Sequence, residues 1–553
     1  MIPKEKSITF QNNVIEKTFY SSENYKDPFN EIELDVVISE KNGSELRVPA
    51  FWAGGNKWVV RYATNNIGNY RYKTICSNKD DKGLQNREGE IKILRYKGKN
   101  KLLKHGPLKI SENKKYLEHL DGNPFLWLAD TWWFALVKRF KWPKDFKLLT
   151  QDRLKKGFSV IQIVAGLLPE IDKFDPRGEN EEGWPWSEDF KSINPAYFDV
   201  ADIKICWLVQ NGLVPCIFAA WGYYLPWLGI EKMKKHCRYL VARWGAYPLV
   251  WSVAGEANKP YYFNYNNDLK KEKAIKDLQR GWTEISKYFR SIDPYRRLIT
   301  VHPSPGGNSY SSRHIFHDYS LFDIDMLQTG HCQRNRLEIS LNTLKESLSS
   351  SPVKPVINGE VCYEGIGGSN WQDTQRFLFW THILSGAAGH TYGAQGIWAF
   401  RDEEKFVGCA GSWSDATWRE AYKLPGSYQL GIGKKFMERF RWYKFEPHPE
   451  WVNPHSSDGD WMLPYAAGIP REVRIIYFPG NCFLKEVDKF KEIKILNIEE
   501  GVNYIAYYFN PRSGEILGKR DVDHDENGTW LISGGIINSN PSMEDWVLVL
   551  EKK

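Results

Sequence analysis

The stretch "LVWSVAGEAN", Leu249–Asn258, carries an apolar run, broken only at Ser252 and Gly255, into a carboxylate at Glu256 and an amide at Asn258. A short apolar run with no alternation suits a strand buried on both faces, as in a parallel sheet covered by helices. A charge at its end then belongs to a mouth where strands stop, not to the core. This reading demands partners of the same kind. Seven further runs supply them: "FLWLADTWW" (Phe125–Trp133), "FSVIQIVAG" (Phe158–Gly166), "LVPCIFAAWG" (Leu213–Gly222), "RLITVHP" (Arg297–Pro303), "IDMLQTGH" (Ile324–His331), "PVINGEVC" (Pro355–Cys362) and "AAGHTYG" (Ala387–Gly393). Amphipathic segments such as "IEKMKKHCRYLVARWGA" (Ile230–Ala246) and "KAIKDLQRGWTEISKYFRSI" (Lys273–Ile292) lie between them. Repeated strand–helix units of this kind predict a (β/α)8 TIM barrel over residues 106–440. A doubly wound sheet is the competitor, but no GxGxxG motif follows any of the strands.

Outside that span the texture changes. Residues 1–100 alternate as "EIELDVVIS", "WVVRYAT" and "GNYRYKTI" between the turn signals "KNGS", "AGGN" and "NNIGN", predicting an N-terminal β-sandwich. The basic "YKGKNKLLKHG" (Tyr96–Gly106) reads as a linker. Residues 445–553 return to strands, "VRIIYFPG", "IKILNI", "NYIAYYFNPRSGE" and "WVLVLEKK", predicting a C-terminal β-sandwich.

Composition narrows the function classes. No apolar run reaches the ~18–20 residues of a membrane helix, so no membrane partner is expected. The net charge of +7 over 553 residues, without a dense Lys/Arg tract, argues against nucleic acid. The opening "MIPKEKSITF" lacks the apolar core of a secretion signal, which predicts a cytoplasmic chain unless it is a processed form. Eight cysteines are scattered without a CxxC pair, which disfavours zinc and thioredoxin-type chemistry. Aromatic residues are 15% of the chain, including 24 Trp, and flat rings suit the C–H faces of sugars.

In a (β/α)8 barrel the chemistry sits where strands end. The ends here are polar and aromatic: Asp130, Trp132 and Trp133 on strand 1, Gln162 on strand 2, Trp221 on strand 3. Strand 4 ends in Glu256 and Asn258, strand 5 in His302, strand 6 in Gln328 and His331. Strand 7 brings Glu360 and Tyr363, and strand 8 brings Tyr392 and Trp398. Glu256 and Glu360 are the candidate catalytic pair, because cleaving a glycosidic bond needs one carboxyl to protonate the leaving oxygen and another to attack or to activate water. Strand ends three steps apart lie roughly 14 Å from one another across the mouth. Two inward Glu side chains would bring the carboxyls to roughly 5–7 Å, near the ~5–5.5 Å of retaining enzymes, with inversion left open. The other residues are candidate substrate-binding groups. No metal or organic cofactor is expected, since no HxH or HExxH occurs.

The middle region, through "FLWLADTWW", "ARWGAYPLVWSVAGEAN", "LQTGH", "KPVINGEVCYEG" and "TYGAQGIW", resembles the apiosidase-like glycoside hydrolases. "DPFNEIELDVVI", "VPAFWAGGNKWVVRYAT" and "IGNYRYKT" resemble the β-sandwich often found ahead of that barrel, and "YIAYYFNPRSGE" with "EDWVLVL" is similar to a collagen-binding-like β-domain. The resemblance implies a glycosidase whose strand-4 carboxylate is the acid/base and whose strand-7 Glu is the nucleophile, which fall on Glu256 and Glu360. It departs where related retaining barrels carry Asn and this chain carries Gly255, and where the apiosidases carry Asp and this chain carries Glu256. A carbohydrate is the expected partner, in a plant or microbial poly- or oligosaccharide. The alternatives are a non-catalytic carbohydrate-binding protein on the same scaffold and a metal-dependent hydrolase with three clustered ligands.

Overall fold

The computed structural model describes residues 6–553 apart from 41–42, 261–267, 306–309, 332–336, 403–415, 459, 481–492, 533–541 and 543. Its centre is a parallel sheet of eight strands: β1 (Trp127–Thr131), β2 (Val160–Val164), β3 (Val214–Phe218), β4 (Val250–Ser252), β5 (Ile299–Thr300), β6 (Asp325–Gln328), β7 (Val356–Glu360) and β8 (Gly389–Tyr392). The hydrogen-bonded order is β5-β4-β3-β2-β1-β8-β7-β6, so β1 pairs with both β2 and β8 and the sheet curls into a barrel. Every residue of these strands is buried, which is why their sequences run apolar without alternation.

Between β5 and β6 no ladder of paired strands forms among the described residues: the Asp323 and Ile324 N–H groups donate to the Ile299 carbonyl at 2.7 and 3.3 Å, and side chains add to the seam. The Thr300 hydroxyl donates to the Ile324 carbonyl at 2.9 Å. The Ser312 hydroxyl donates to the Val301 carbonyl at 2.6 Å and accepts the Met326 N–H at 2.9 Å. Ser312 thus satisfies backbone groups that a barrel strand would otherwise pair. An outer ring carries helices α1 (Lys144–Lys156), α2 (Pro195–Gln210), α3 (Tyr224–Trp244), α4 (Asp268–Ile292), α5 (Glu338–Ser349), α6 (Gln372–Leu384) and α7 (Pro425–Met437). The fold is a TIM barrel with β-rich flanks.

Ahead of the barrel, a five-stranded sheet and a three-stranded sheet enclose their own core of Leu34, Val36, Trp58, Val60, Tyr70, Tyr72 and Ile91. The strand Gly68–Cys76 buries every second residue, as a sheet with one covered face must. This unit packs on the barrel. Arg61 reaches across to Asp202 on α2, Arg238 on α3 pairs with Asp35 at 2.5 Å, and the Tyr239 hydroxyl donates to the Trp52 carbonyl at 3.0 Å. After the barrel, a six-stranded and a three-stranded sheet enclose a second separate core around Ile476, Tyr504, Trp546 and Leu548. It docks through the Arg376–Asp545 pair at 2.7 Å and the stacked rings of Phe436 and Phe509, 4.0 Å between centroids. Among the described residues no helix is long and apolar enough to cross a membrane.

Candidate active site

The C-terminal ends of the barrel strands open on a cavity of about 230 Å³ lined by Trp133, Glu170, Trp221, Glu256, Lys259, Gln328, His331, Glu360, Tyr363 and Trp398, with Pro169, Pro305 and Ile366. Ligand cavities for drug-sized molecules run about 300–1,000 Å³, so this one is smaller than a drug-sized pocket.

Glu256 stands on a backbone that few residues adopt. Its φ is +43°, in the left-handed region where a side chain other than glycine is uncommon. The residue before it explains how the turn is held. The Gly255 N–H donates to the Ala220 carbonyl at 2.9 Å, and the Gly222 N–H donates to the Gly255 carbonyl at 2.7 Å, so the continuations of β3 and β4 run in close contact. A Cβ at Gly255 would lie 2.2 Å from Cε3 of Trp221, which leaves glycine as the residue that fits. The apolar strand is therefore a rigid post, and the glycine lets the Trp221 indole press against the backbone that presents Glu256.

The two carboxylates live in opposed environments. Burial pushes the Glu256 carboxyl above its ordinary pKa; the Glu360 charge adds to that, while Lys259, His302 and the Gln328 amide oppose it. Gln328 Nε2 donates to Glu256 Oε1 at 3.1 Å, and Lys259 Nζ lies 3.6 Å from Oε2. Glu360 is equally buried, and burial alone would raise it, but two imidazoles prevail and hold it well below the carboxylate range. His302 Nε2 is 3.2 Å from Glu360 Oε2, and His331 Nε2 is 3.0 Å from Oε1. His302 also touches the other Glu: its Nδ1 accepts the Glu256 backbone N–H at 3.4 Å. One imidazole thus joins the strand-4 residue to the strand-7 residue.

Aromatic rings form the walls. Trp133, Trp221 and His302 pack edge to face or tilted, with centroids 5.5–6.0 Å apart. The Trp133 indole N–H donates to the Tyr363 hydroxyl at 3.0 Å, and Tyr363 lies 4.3 Å from His331 between ring centroids. Trp221 Nε1 and Gln328 Oε1 are buried without a hydrogen-bond partner. Leaving such an atom unpaired costs about 1–3 kcal/mol, and both atoms belong to residues that line the cavity.

Five of the residues expected to bind substrate lie elsewhere, for physical reasons. Asp130 is fully buried and points outward, its Oδ2 receiving Arg153 Nε of α1 and the Trp132 indole N–H, both at 2.6 Å. Trp132 packs among Phe140, Phe146 and Phe400, between barrel and helices. Tyr392 also points outward and donates its hydroxyl to Glu364 at 2.6 Å. Gln162 points into the barrel below the cavity and donates to the Gly359 carbonyl at 2.8 Å. Asn258 accepts the Ser304 N–H at 2.9 Å and so ties the loops after β4 and β5 together. Of the twelve expected groups, Trp133, Trp221, Gln328, His331, Tyr363 and Trp398 line the cavity, and His302 sits behind Glu360. Glu170 and Lys259 were missed by sequence reasoning. Lys259 had a signal, being one residue beyond the strand-4 "GEAN", whereas Glu170 lies on the loop after β2 with no motif around it. Among the described residues no group of three or more His, Cys, Asp or Glu is arranged to hold a metal ion.

Comparison with known proteins follows the same outline. The model of the apiosidase-like catalytic domain matches residues 111–444, and that of a domain of unknown function, DUF5060, matches residues 10–77. No curated protein matches the chain. A solved structure named a glycoside hydrolase is 21% identical, covering 81% of this chain and 97% of its own, with a TM-score of 0.65. A glycoside hydrolase family 5 protein from Bacteroides vulgatus is also 21% identical, covering 81% of this chain and 93% of its own, with a TM-score of 0.65. Another Bacteroides vulgatus structure, provisionally named a glycoside hydrolase, matches over 100% of both chains at 15% identity with a TM-score of 0.69. At these identities the likeness is one of fold.

Proposed function

The chain belongs to the apiosidase-like family through its catalytic domain and is a glycosidase acting on carbohydrate; from that premise we propose that it cleaves by a retaining mechanism, with Glu256 as acid/base and Glu360 as nucleophile. The observation that carries this reading is two buried carboxyls in one cavity with opposed partners: Glu360 between the His302 and His331 imidazoles at 3.2 and 3.0 Å, and Glu256 beside the Gln328 amide at 3.1 Å, so that burial raises Glu256 while the imidazoles lower Glu360. A group that must give a proton needs to hold one near working pH, and a group that must attack needs to be ionised.

In the first step Glu360 Oε attacks the anomeric carbon as the bond to the leaving oxygen breaks, and the Glu256 proton passes to that oxygen. His302 and His331 keep Glu360 anionic, and Gln328 orients the Glu256 carboxyl. In the second step Glu256, now a carboxylate, takes a proton from water, which displaces Glu360 from the anomeric carbon. Two inversions leave the configuration unchanged. The glycone is left open: apiose specificity is not carried over, because Glu256 is a longer acid than the Asp of the apiosidases.

The test uses a glycone chosen from a panel of 4-nitrophenyl glycosides. Glu256→Ala should lose about 10²–10⁴-fold on a natural glycoside and retain much of its first step on a 2,4-dinitrophenyl glycoside, whose leaving group needs no proton. Azide should rescue it with retained configuration. Glu360→Ala should lose both substrates. The reverse pattern exchanges the roles, and an inverted first product from the wild-type enzyme replaces retention with direct attack by water.

A further inference from the structure

The loop after β2, "GLLPEID" (Gly166–Asp172), brings a third carboxyl into the cavity. Glu170 holds a φ of +56°, a left-handed conformation that a side chain other than glycine seldom takes. The loop is anchored on both sides of it. The Tyr223 hydroxyl lies 2.7 Å from the Leu168 carbonyl, to which it donates, and 3.1 Å from that of Ile171. The Trp221 N–H donates to the Leu167 carbonyl at 2.9 Å. This anchoring fixes where Glu170 points, yet its Oε2 is buried with no hydrogen-bond partner in the protein. A strained, braced residue with an unsatisfied oxygen in a ligand cavity is arranged for something that the folded chain itself does not supply.

The charged groups facing it are Glu256 and Lys259 after β4, Glu360 at the end of β7 and His331 after β6. Burial, first, and the Glu256 and Glu360 charges raise its pKa to about 7 against the opposing Lys259 and His331. Near neutrality it is therefore present as both carboxyl and carboxylate. Either form suits a sugar hydroxyl, which donates and accepts. Its loop is braced through Trp221 and Tyr223 on the continuation of β3, which is bonded in turn to Gly255 just before Glu256; Glu170 therefore stands on the Glu256 side of the cavity, where the leaving oxygen departs.

We propose that Glu170 is a specificity-determining residue that hydrogen-bonds a hydroxyl of the leaving-group sugar. The proposal rests on Glu256 being the acid/base, since that assignment defines the leaving-group side.

The experiment compares two substrates with one glycone, selected from the 4-nitrophenyl panel: its 2,4-dinitrophenyl glycoside, which has no leaving-group sugar, and the corresponding disaccharide. Glu170→Ala should raise KM for the disaccharide about tenfold more than KM for the aryl glycoside, the cost of one hydrogen bond of ordinary strength, with thermal denaturation certifying the fold. Glu170→Gln, which keeps the shape and a donor, should restore the disaccharide KM. Its pH profile should keep the basic limb that belongs to Glu256. Wild-type kinetics of Glu170→Ala on the disaccharide, or an equal loss on both substrates, overturns the proposal and leaves the roles of Glu256 and Glu360 standing. A Gln variant as impaired as the Ala variant and lacking the basic limb would make Glu170 itself the acid, and would overturn both readings.

Discussion

Gly255→Ala is the smallest change that should disable the site. The added Cβ would sit 2.2 Å from Trp221 Cε3 and 2.3 Å from Cζ3. Carbon atoms rest about 3.5–4.0 Å apart, so the indole or the backbone must yield by more than about 1 Å. The indole has little room: Trp133 lies 5.5 Å away between ring centroids and His302 6.0 Å. Part of the displacement is therefore passed to Glu256, whose N–H is held by the same His302. Overpacking of this kind costs about 1–3 kcal/mol, a fall of at most about 2–4 °C in Tm for each kcal/mol, since the barrel is larger than the domains of about 150–250 residues for which that range holds. Displacing a catalytic group by about 1 Å costs about 10²-fold in rate. Thermal denaturation and kcat/KM on the best aryl glycoside read the two effects. Gly255→Ala combined with Trp221→Leu should regain most of the stability and little of the activity. A Gly255→Ala enzyme with wild-type Tm and kcat/KM would refute the argument, as would a double variant no more stable than the single one.

Other outcomes follow from the same contacts. The kcat/KM profile should be bell-shaped: Glu360 is lowered, so its acid limb should fall below the ordinary carboxylate pKa, and Glu256 is raised, so its basic limb should lie above it and vanish in Glu256→Gln. Asp130→Ala should destabilise by about 3–5 kcal/mol, because the fully buried Arg153 loses a carboxylate 2.6 Å away, while KM in the folded fraction stays unchanged. A KM effect with intact stability would return Asp130 to the binding site. Trp132→Ala should cost about 3–5 kcal/mol of stability as a core deletion, whereas Trp398→Ala, at the cavity wall, should mainly raise KM; equal effects on both readouts would contradict this division.

The barrel was legible because its strands are buried on both faces and end in polar residues. Glu256 and Glu360 stood out for the same reason, each being a charge at the end of an apolar run. What the sequence left undetermined was the facing of each strand. Successive side chains alternate in direction, so "ADTWW" sends Asp130 and Trp132 outward to Arg153 and Phe146 on α1 and brings Trp133 into the cavity. Tyr392, paired in register with Asp130, shares its outward direction. Nothing in a fully apolar strand marks one parity as inward, whereas the half-exposed Gly68–Cys76 shows its parity plainly. Glu170 was hidden differently: a loop has no period, and its left-handed backbone and the Tyr223 anchor come from residues far away in the chain.

Covalent capture tests the central claim most directly. The enzyme, incubated with the 2-deoxy-2-fluoro analogue of its best 2,4-dinitrophenyl glycoside, should gain the mass of one fluoroglycosyl group, and peptide mapping should place that group on Glu360. Capture on Glu256 or Glu170, or rapid turnover to the inverted sugar with no adduct, would contradict the account.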